Sequence, residues 1–296
     1  MKALLILFLG FSLNASEKLE SKTLGLALEK AKAMKQIYGK EVLVALDLDN
    51  TLLKTDQNLG GEEWWEWQTK LVGTKDPLRV GCKFGDLLEQ ELRILDWSHM
   101  SPTESDAATT IQQIQDLGVY TVILTSRGPD NVSHTLRELS RNKMDFSRKA
   151  LPPSEGFASS YLPFEAQSPG EAGLSDEEIG KFKLLPHRPV AYQSGVFFVS
   201  GQHKGEMLKT LLKKTKTTIK GIVYVDNLSR QTEKVWEAFF GSKIDLVDIR
   251  YSGTDPIFEK FDKDNKKAVT ASYKKFHKVL SEVFRYEKPC SLPVDK

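Results

Sequence analysis

Apolar and polar positions follow two rhythms along this chain, and the sharpest change between them falls at residue 47. Val42-Leu43-Val44-Ala45-Leu46 is an unbroken apolar run whose length and Val content predict a strand buried on both faces, as in a parallel sheet. It ends in Asp47-Leu48-Asp49-Asn50-Thr51. Two carboxylates two residues apart at such a strand end stand where open α/β sheets collect ligands. The bland alternative is a polar turn, because Asp and Asn side chains hydrogen-bond their own backbone. A calcium loop is rejected by spacing: Leu52 and Asn58 stand where such a loop needs Gly and Glu.

The same patterning predicts the remaining elements. Upstream, Leu24, Ala27, Leu28, Ala31 and Tyr38 recur at helical spacing, giving a helix over residues 16–38 that stops at Gly39. Residues 105–117 read as a helix with Ile111 and Ile114 inward, residues 119–124 as a second buried strand, and the stretch from Asp130 to about Lys143 as the helix that follows. Val190 to Tyr192 and Val196 to Val199 form a hairpin around Gln193-Ser194-Gly195. A helix from Lys204 to about Lys214, a strand over 222–225, a helix over 230–240 and a strand over 246–250 come next. The tail, 262–285, reads as one basic helix with a solvated lysine face. Strands alternating with helices predict an α/β fold with a parallel, Rossmann-like sheet.

Two stretches break the rhythm. Residues 55–103 change composition: Gly60-Gly61 precedes Trp64-Trp65-Glu66-Trp67, so three of the five tryptophans fall within four residues. Aromatic rings bury much area in a piece with little volume, so two of them read as a local core and at most one as a pocket wall. Residues 150–189 hold Pro152, Pro153, Pro163, Pro169, Pro186 and Pro189, which predict a long irregular excursion of the kind that forms a lid or binding loop.

Composition narrows the picture. With 296 residues and 40% hydrophobic content the chain can bury one large core, with or without inserts. A net charge of +2 implies neither a nucleic-acid-binding nor a membrane-binding surface. Met1-Lys2, the apolar stretch from Ala3 to Leu13 and Leu13-Asn14-Ala15 describe a secretory signal peptide over residues 1–15, too short to span a membrane, leaving residues 16–296 as the mature chain. No Cys follows the cleavage point, which argues against lipid anchoring. The expected location is therefore periplasmic or secreted, with no transmembrane anchor after cleavage. In an oxidising compartment Cys82 and Cys290 form a disulfide or stand as unrelated buried thiols, and no zinc-type spacing exists. His203 reads as a solvent-facing loop residue beside Lys204.

Four motifs recur in order: Asp47-Leu48-Asp49-Asn50-Thr51, then Val122-Ile123-Leu124-Thr125-Ser126-Arg127, then Lys204 in Gln202-His203-Lys204-Gly205-Glu206, then Ile222-Val223-Tyr224-Val225-Asp226-Asn227. Together they resemble the haloacid dehalogenase (HAD) superfamily of phosphohydrolases, over residues 42–250. The Asp-Leu-Asp-Asn-Thr start with its Gly- and Trp-rich sequel is similar to that of a group of exported bacterial HAD-like proteins.

The resemblance implies a HAD core with a helical cap inserted after the first strand, at 55–103, and an Mg2+-dependent phosphomonoester hydrolase acting on a small-molecule phosphoester. By the same resemblance Asp47 is the nucleophile, Asp49 the general acid and base, Thr125 a phosphate ligand and Lys204 a charge-offsetting group. Magnesium would lie among Asp47, Asp49 through its backbone carbonyl, and Asp226. Glycine beside Lys204 fits close approach to a ligand. The sequence departs from the family where a second acid often follows Asp226, since Asn227 stands there. The rival readings are a phosphotransferase of the same fold and a non-catalytic binding protein. Oligomeric state is not legible.

Overall fold

The structure, a computed structural model, describes residues 16–264 and 266–286; the predicted signal segment 1–15 and Cys290 lie outside the described residues. In chain order its strands and α-helices are β1 (Glu17–Ser21), α1 (Gly25–Tyr38), β2 (Val42–Leu46), β3 (Leu53–Thr55), α2 (Glu62–Leu71), α3 (Phe84–Trp97), β4 (Met100–Pro102), α4 (Ala107–Asp116) and β5 (Tyr120–Thr125). There follow α5 (Val132–Arg141), α6 (Asp176–Phe182), β6 (Ala191–Gln193), β7 (Val196–Phe198), α7 (Lys204–Thr215), β8 (Gly221–Asp226), α8 (Ser229–Phe239), β9 (Asp245–Tyr251), α9 (Asp255–Lys263) and α10 (Lys266–Phe284).

Seven strands form one sheet in the order β1-β9-β8-β2-β5-β7-β6, parallel except for the β6–β7 hairpin. This is a Rossmann-like α/β fold. The apolar run of β2 is fully buried because both its faces are covered. Val42, Val44 and Leu46 point to the layer that holds α1, α4 and α5, while Leu43 and Ala45 point to α7 and α8. The order reverses at β2, whose neighbours are β5 on one side and β8 on the other, so the crevice of the fold opens at its carboxyl end.

Residues 17–21 correct the first predicted helix. They hold one apolar residue, Leu19, and pair in parallel with β9 at the sheet edge, where charged side chains suit solvent. The helix itself begins at Gly25, after the Leu24 amide donates to the Glu104 carboxylate at 2.8 Å. The tail is corrected as well: α9 ends at Lys263, Asp264 is extended with φ −69 and ψ 155, and only α10 continues the basic helix. The 150–189 excursion is largely irregular but contains α6, opened by a capping box between Ser175 and Glu178.

The cap stands on a short stem in which β3 and β4 pair antiparallel. Trp64, Val80, Leu87 and Ile94 form its core together with Phe261, Val269 and Tyr273 of the tail helices. Gln90 of α3 accepts from the Tyr273 hydroxyl and donates to that of Tyr286, both at 2.8 Å. Cap and tail thus share one small core. Among the described residues there is no free cysteine, and Cys82 lies in the cap. No helix among them is long and apolar enough to cross a membrane.

Gly205 has a packing reason where a ligand reason was expected. A Cβ there would sit 2.5 Å from both the Lys234 carbonyl oxygen and the Ala238 Cβ, so glycine lets α7 press on α8 and fixes where Lys204 begins. Gly205→Ala is expected to destabilise by about 1–3 kcal/mol in denaturant unfolding, the ordinary cost of overpacking against backbone.

Candidate functional site

Asp47 follows β2 directly, and its amide donates to the Val225 carbonyl at 2.8 Å, so it lies level with the end of β8. Lys204 opens α7 and is only 1% exposed. An ammonium buried that deeply needs anionic partners. It donates to Asp47 Oδ1 at 2.5 Å and to Asp226 Oδ2 at 2.6 Å. Asp226 also accepts from the Tyr224 hydroxyl at 2.5 Å and from the Leu228 amide at 2.9 Å, so its carboxylate is fixed on both oxygens.

Burial pushes the Asp47 carboxyl up to about 7; Lys204 opposes the rise, and the charges of Asp226 and Asp49 reinforce it. Burial pulls Lys204 down, but Asp226 and Asp47 more than reverse this and hold it above the ordinary lysine range. For Asp47 the sign is then set: a carboxyl raised in the folded state contributes stability at low pH that is lost as pH climbs from about 4 to about 7. With a chelator present, Asp47→Asn should match the wild type near pH 4. It should become progressively more stable than the wild type up to pH 7, by at most about 1.4 kcal/mol per pH unit. Urea unfolding at each pH measures the difference.

Asp49 stands two residues further along the motif. Arg127, two residues past the end of β5, grips it at two points, Nε to Oδ2 at 2.9 Å and a terminal nitrogen to Oδ1 at 2.7 Å. Its other terminal nitrogen donates to the Thr135 hydroxyl at 2.8 Å. Thr125 is buried and its hydroxyl accepts from the Arg127 amide at 3.2 Å, leaving the hydroxyl proton to donate elsewhere. Between the two acids and the cap, Asn50 takes φ +53, a left-handed conformation that Asn tolerates better than most residues.

Three glutamates at the start of α2 tie the cap to this floor. Glu62 accepts from the Asn227 amide at 2.6 Å, Glu63 from that of Asn50 at 3.3 Å, and Glu66 takes Arg230 at 2.6 and 3.0 Å. Asn227 is held from behind by Thr51, whose hydroxyl donates to Asn227 Oδ1 and accepts from its backbone amide. Gly60, at φ +81, turns the chain into α2 where a Cβ would strike the Ile94 side chain at 2.4 Å. Burial lifts the Glu62 carboxyl well above its usual range, and the charges of Asp47 and Asp49 add to the rise.

Floor and cap enclose a cavity of about 690 Å³ lined by Asp47, Asp49, Thr125, Arg127 and Lys204 below and by Trp65 and Glu91 above. The tryptophans divide: Trp64 is fully buried, Trp67 packs against Phe261 at 6.0 Å between ring centres, and Trp65 faces the cavity. Asp226 lies beneath Lys204 and is 0% exposed. The structure therefore brings Asp47, Lys204 and Asp226 into direct contact and places Asp49 and Thr125 on the same cavity.

The donor chemistry suits a hard divalent cation: Asp47, Asp226 and Asp49 offer oxygen atoms only. The charges suit it too, because the acids here raise one another's pKa while Lys204 and Arg127 are already paired. Among the described residues, however, no group of three or more His, Cys, Asp or Glu is arranged as a cation cage, and it is the Lys204 ammonium that joins Asp47 to Asp226.

Arg127, Glu62 and Glu91 take no role from the sequence motifs alone. Arg127 carried a signal, since a charged residue two places after a strand-end Thr is aimed at the same crevice. His203 is corrected: it is 7% exposed, caps α7 by accepting from the Glu206 amide at 3.3 Å, and packs against Phe182 with ring centres 4.0 Å apart. Burial and nearby lysines pull its pKa down to about 4, so it acts as a neutral cap.

No curated protein and no solved structure matches the chain. Residues 27–285, which hold every site residue named above, match the family described as "Protein of unknown function (DUF2608)", and the chain belongs to that family.

Proposed function

We propose that the protein is an exported, Mg2+-dependent phosphomonoester hydrolase of the haloacid dehalogenase type that works through an aspartyl-phosphate at Asp47. The observation that supports this most is the Asp47–Lys204–Asp226 cluster at the carboxyl ends of two adjacent parallel strands, opening on a capped cavity.

Phosphate esters resist anionic attack because their own oxygens carry negative charge, so positive charge must be fixed in place first. Lys204 supplies it at the nucleophile. An Asp47 oxygen attacks phosphorus and the bond to the leaving oxygen breaks. Asp49 gives that oxygen a proton and later takes one from the water that attacks phosphorus and frees Asp47. Arg127 pairs with both oxygens of Asp49. An incoming phosphate gives the guanidinium a second anionic partner and loosens its grip on Asp49, which frees that carboxyl to turn toward the leaving oxygen. The Thr125 hydroxyl donates to a phosphoryl oxygen. Asp47, Asp226 and the Asp49 backbone carbonyl would hold magnesium, which when bound offsets the charge of the phosphoryl oxygens.

The test is a panel of phosphomonoesters offered to the mature protein with magnesium, reading phosphate release. Turnover that a chelator stops is expected; a folded protein that hydrolyses no member would move the assignment to a non-catalytic binding protein. Export is proposed from the apolar start of the chain and predicts an N-terminus near Ser16 in protein recovered outside the cytoplasm.

A further inference from the structure

The cavity is polar in a segregated way. Every basic side chain on its wall, Arg127, Arg188, Lys204 and Arg230, comes from outside the cap, whereas the charged residues that the cap contributes are all glutamates: 62, 66, 89 and 91. Three of these are engaged, Glu62 with Asn227, Glu66 with Arg230, and Glu89 with Arg93 at 2.8 Å. Glu91 is different. It lies on the cavity wall in the middle of α3, and no described residue hydrogen-bonds or ion-pairs with it. The same wall carries Trp65 and Phe84, whose rings meet edge to face at 5.7 Å, beside Leu88, Leu92 and Leu95.

A floor that suits a phosphate and a roof of aromatic faces around an uncommitted carboxylate describe a ligand with an anion at one end and a cation at the other. We propose that the substrate's leaving group carries an organic ammonium, seated under the cap between Glu91 and the Trp65 and Phe84 rings. The aromatic faces attract a cation through their quadrupoles, and the leucines cover the methylenes that join it to the ester oxygen. An anionic leaving group would be repelled by this acid, and a purely aliphatic one would leave it without a partner. Burial raises Glu91 to about 8, with Arg127 opposing the rise and Asp49 adding to it. The acid is thus largely protonated in the empty cavity at neutral pH. It ionises when a cation settles beside it and releases its proton to solvent.

This inference rests on the phosphatase reading for its substrate but is tested separately from it. Phosphocholine and 3,3-dimethylbutyl phosphate have the same shape and differ in one charge. The wild-type kcat/KM should favour phosphocholine by about 10-fold or more, and Glu91→Gln, which keeps the size and removes the charge, should bring the ratio close to one. Equal rates on the two esters in the wild type, or a ratio unmoved by Glu91→Gln, would overturn the ammonium site while leaving the phosphatase reading intact. If neither ester turns over, calorimetry with choline and 3,3-dimethylbutanol decides the roof alone. Tighter binding of choline, lost in Glu91→Gln, supports the site; equal or undetectable binding of both overturns it.

Discussion

Asp47→Asn is expected to lower kcat by at least about 1,000-fold on every phosphoester the wild type accepts, and to form no phosphoryl-enzyme. An amide cannot be the acceptor of a transferable phosphoryl group. The fold should survive, because Asn is the same size and Lys204 keeps Asp226 as a partner at 2.6 Å. Loss of activity together with undiminished stability at pH 7 is the signature that separates a chemical role for Asp47 from a structural one. A folded Asp47→Asn protein with wild-type turnover would defeat the mechanism.

Lys204→Met should show the opposite combination, with both activity and stability falling. The ammonium is the only cation in contact with Asp47 among the described residues, so its removal leaves Asp47 and Asp226 facing each other without an intervening charge, both at most 4% exposed. Breaking such a buried pair typically costs about 3–5 kcal/mol. Because Lys204 holds the Asp47 pKa down, its loss pushes that carboxyl further above its unfolded value. The deficit should therefore be largest near pH 8 and shrink toward pH 5, where protonation removes the repulsion. Guanidinium unfolding in the presence of a chelator reads this directly. Activity should drop about 100- to 1,000-fold, the scale on which removing one fixed positive group from a transition state is felt.

The positions of Asp47, Thr125 and Asp226 were legible because each ends an apolar run that only a strand buried on both faces explains, and Lys204 because it opens a helix after a hairpin. The groups that complete the cavity were not. Asn227 and Glu62 meet across 165 residues, and no local pattern announces a pair of that separation. Arg127 and Asp49 are 78 residues apart and became partners only once β5 was known to lie beside β2. Strand β1 escaped because an edge strand with one apolar residue has no periodicity to detect, and its identity comes from the pairing offered by β9. His203 reads as a surface residue in the sequence because its cover, Phe182, comes from the proline-rich excursion whose path the sequence does not reveal. The cap tryptophans divided between core and cavity as their volume suggested, but which one faced the cavity was set by the register of α2.

The most direct measurement is rapid acid quench of the wild-type protein with a radioactive phosphoester, followed by proteolysis and localisation of the label. Acid-stable, hydroxylamine-labile phosphate on the peptide that contains Asp47, absent from Asp47→Asn, is the predicted result. Turnover with no covalent label at any quench time, or label on a peptide without Asp47, would contradict it.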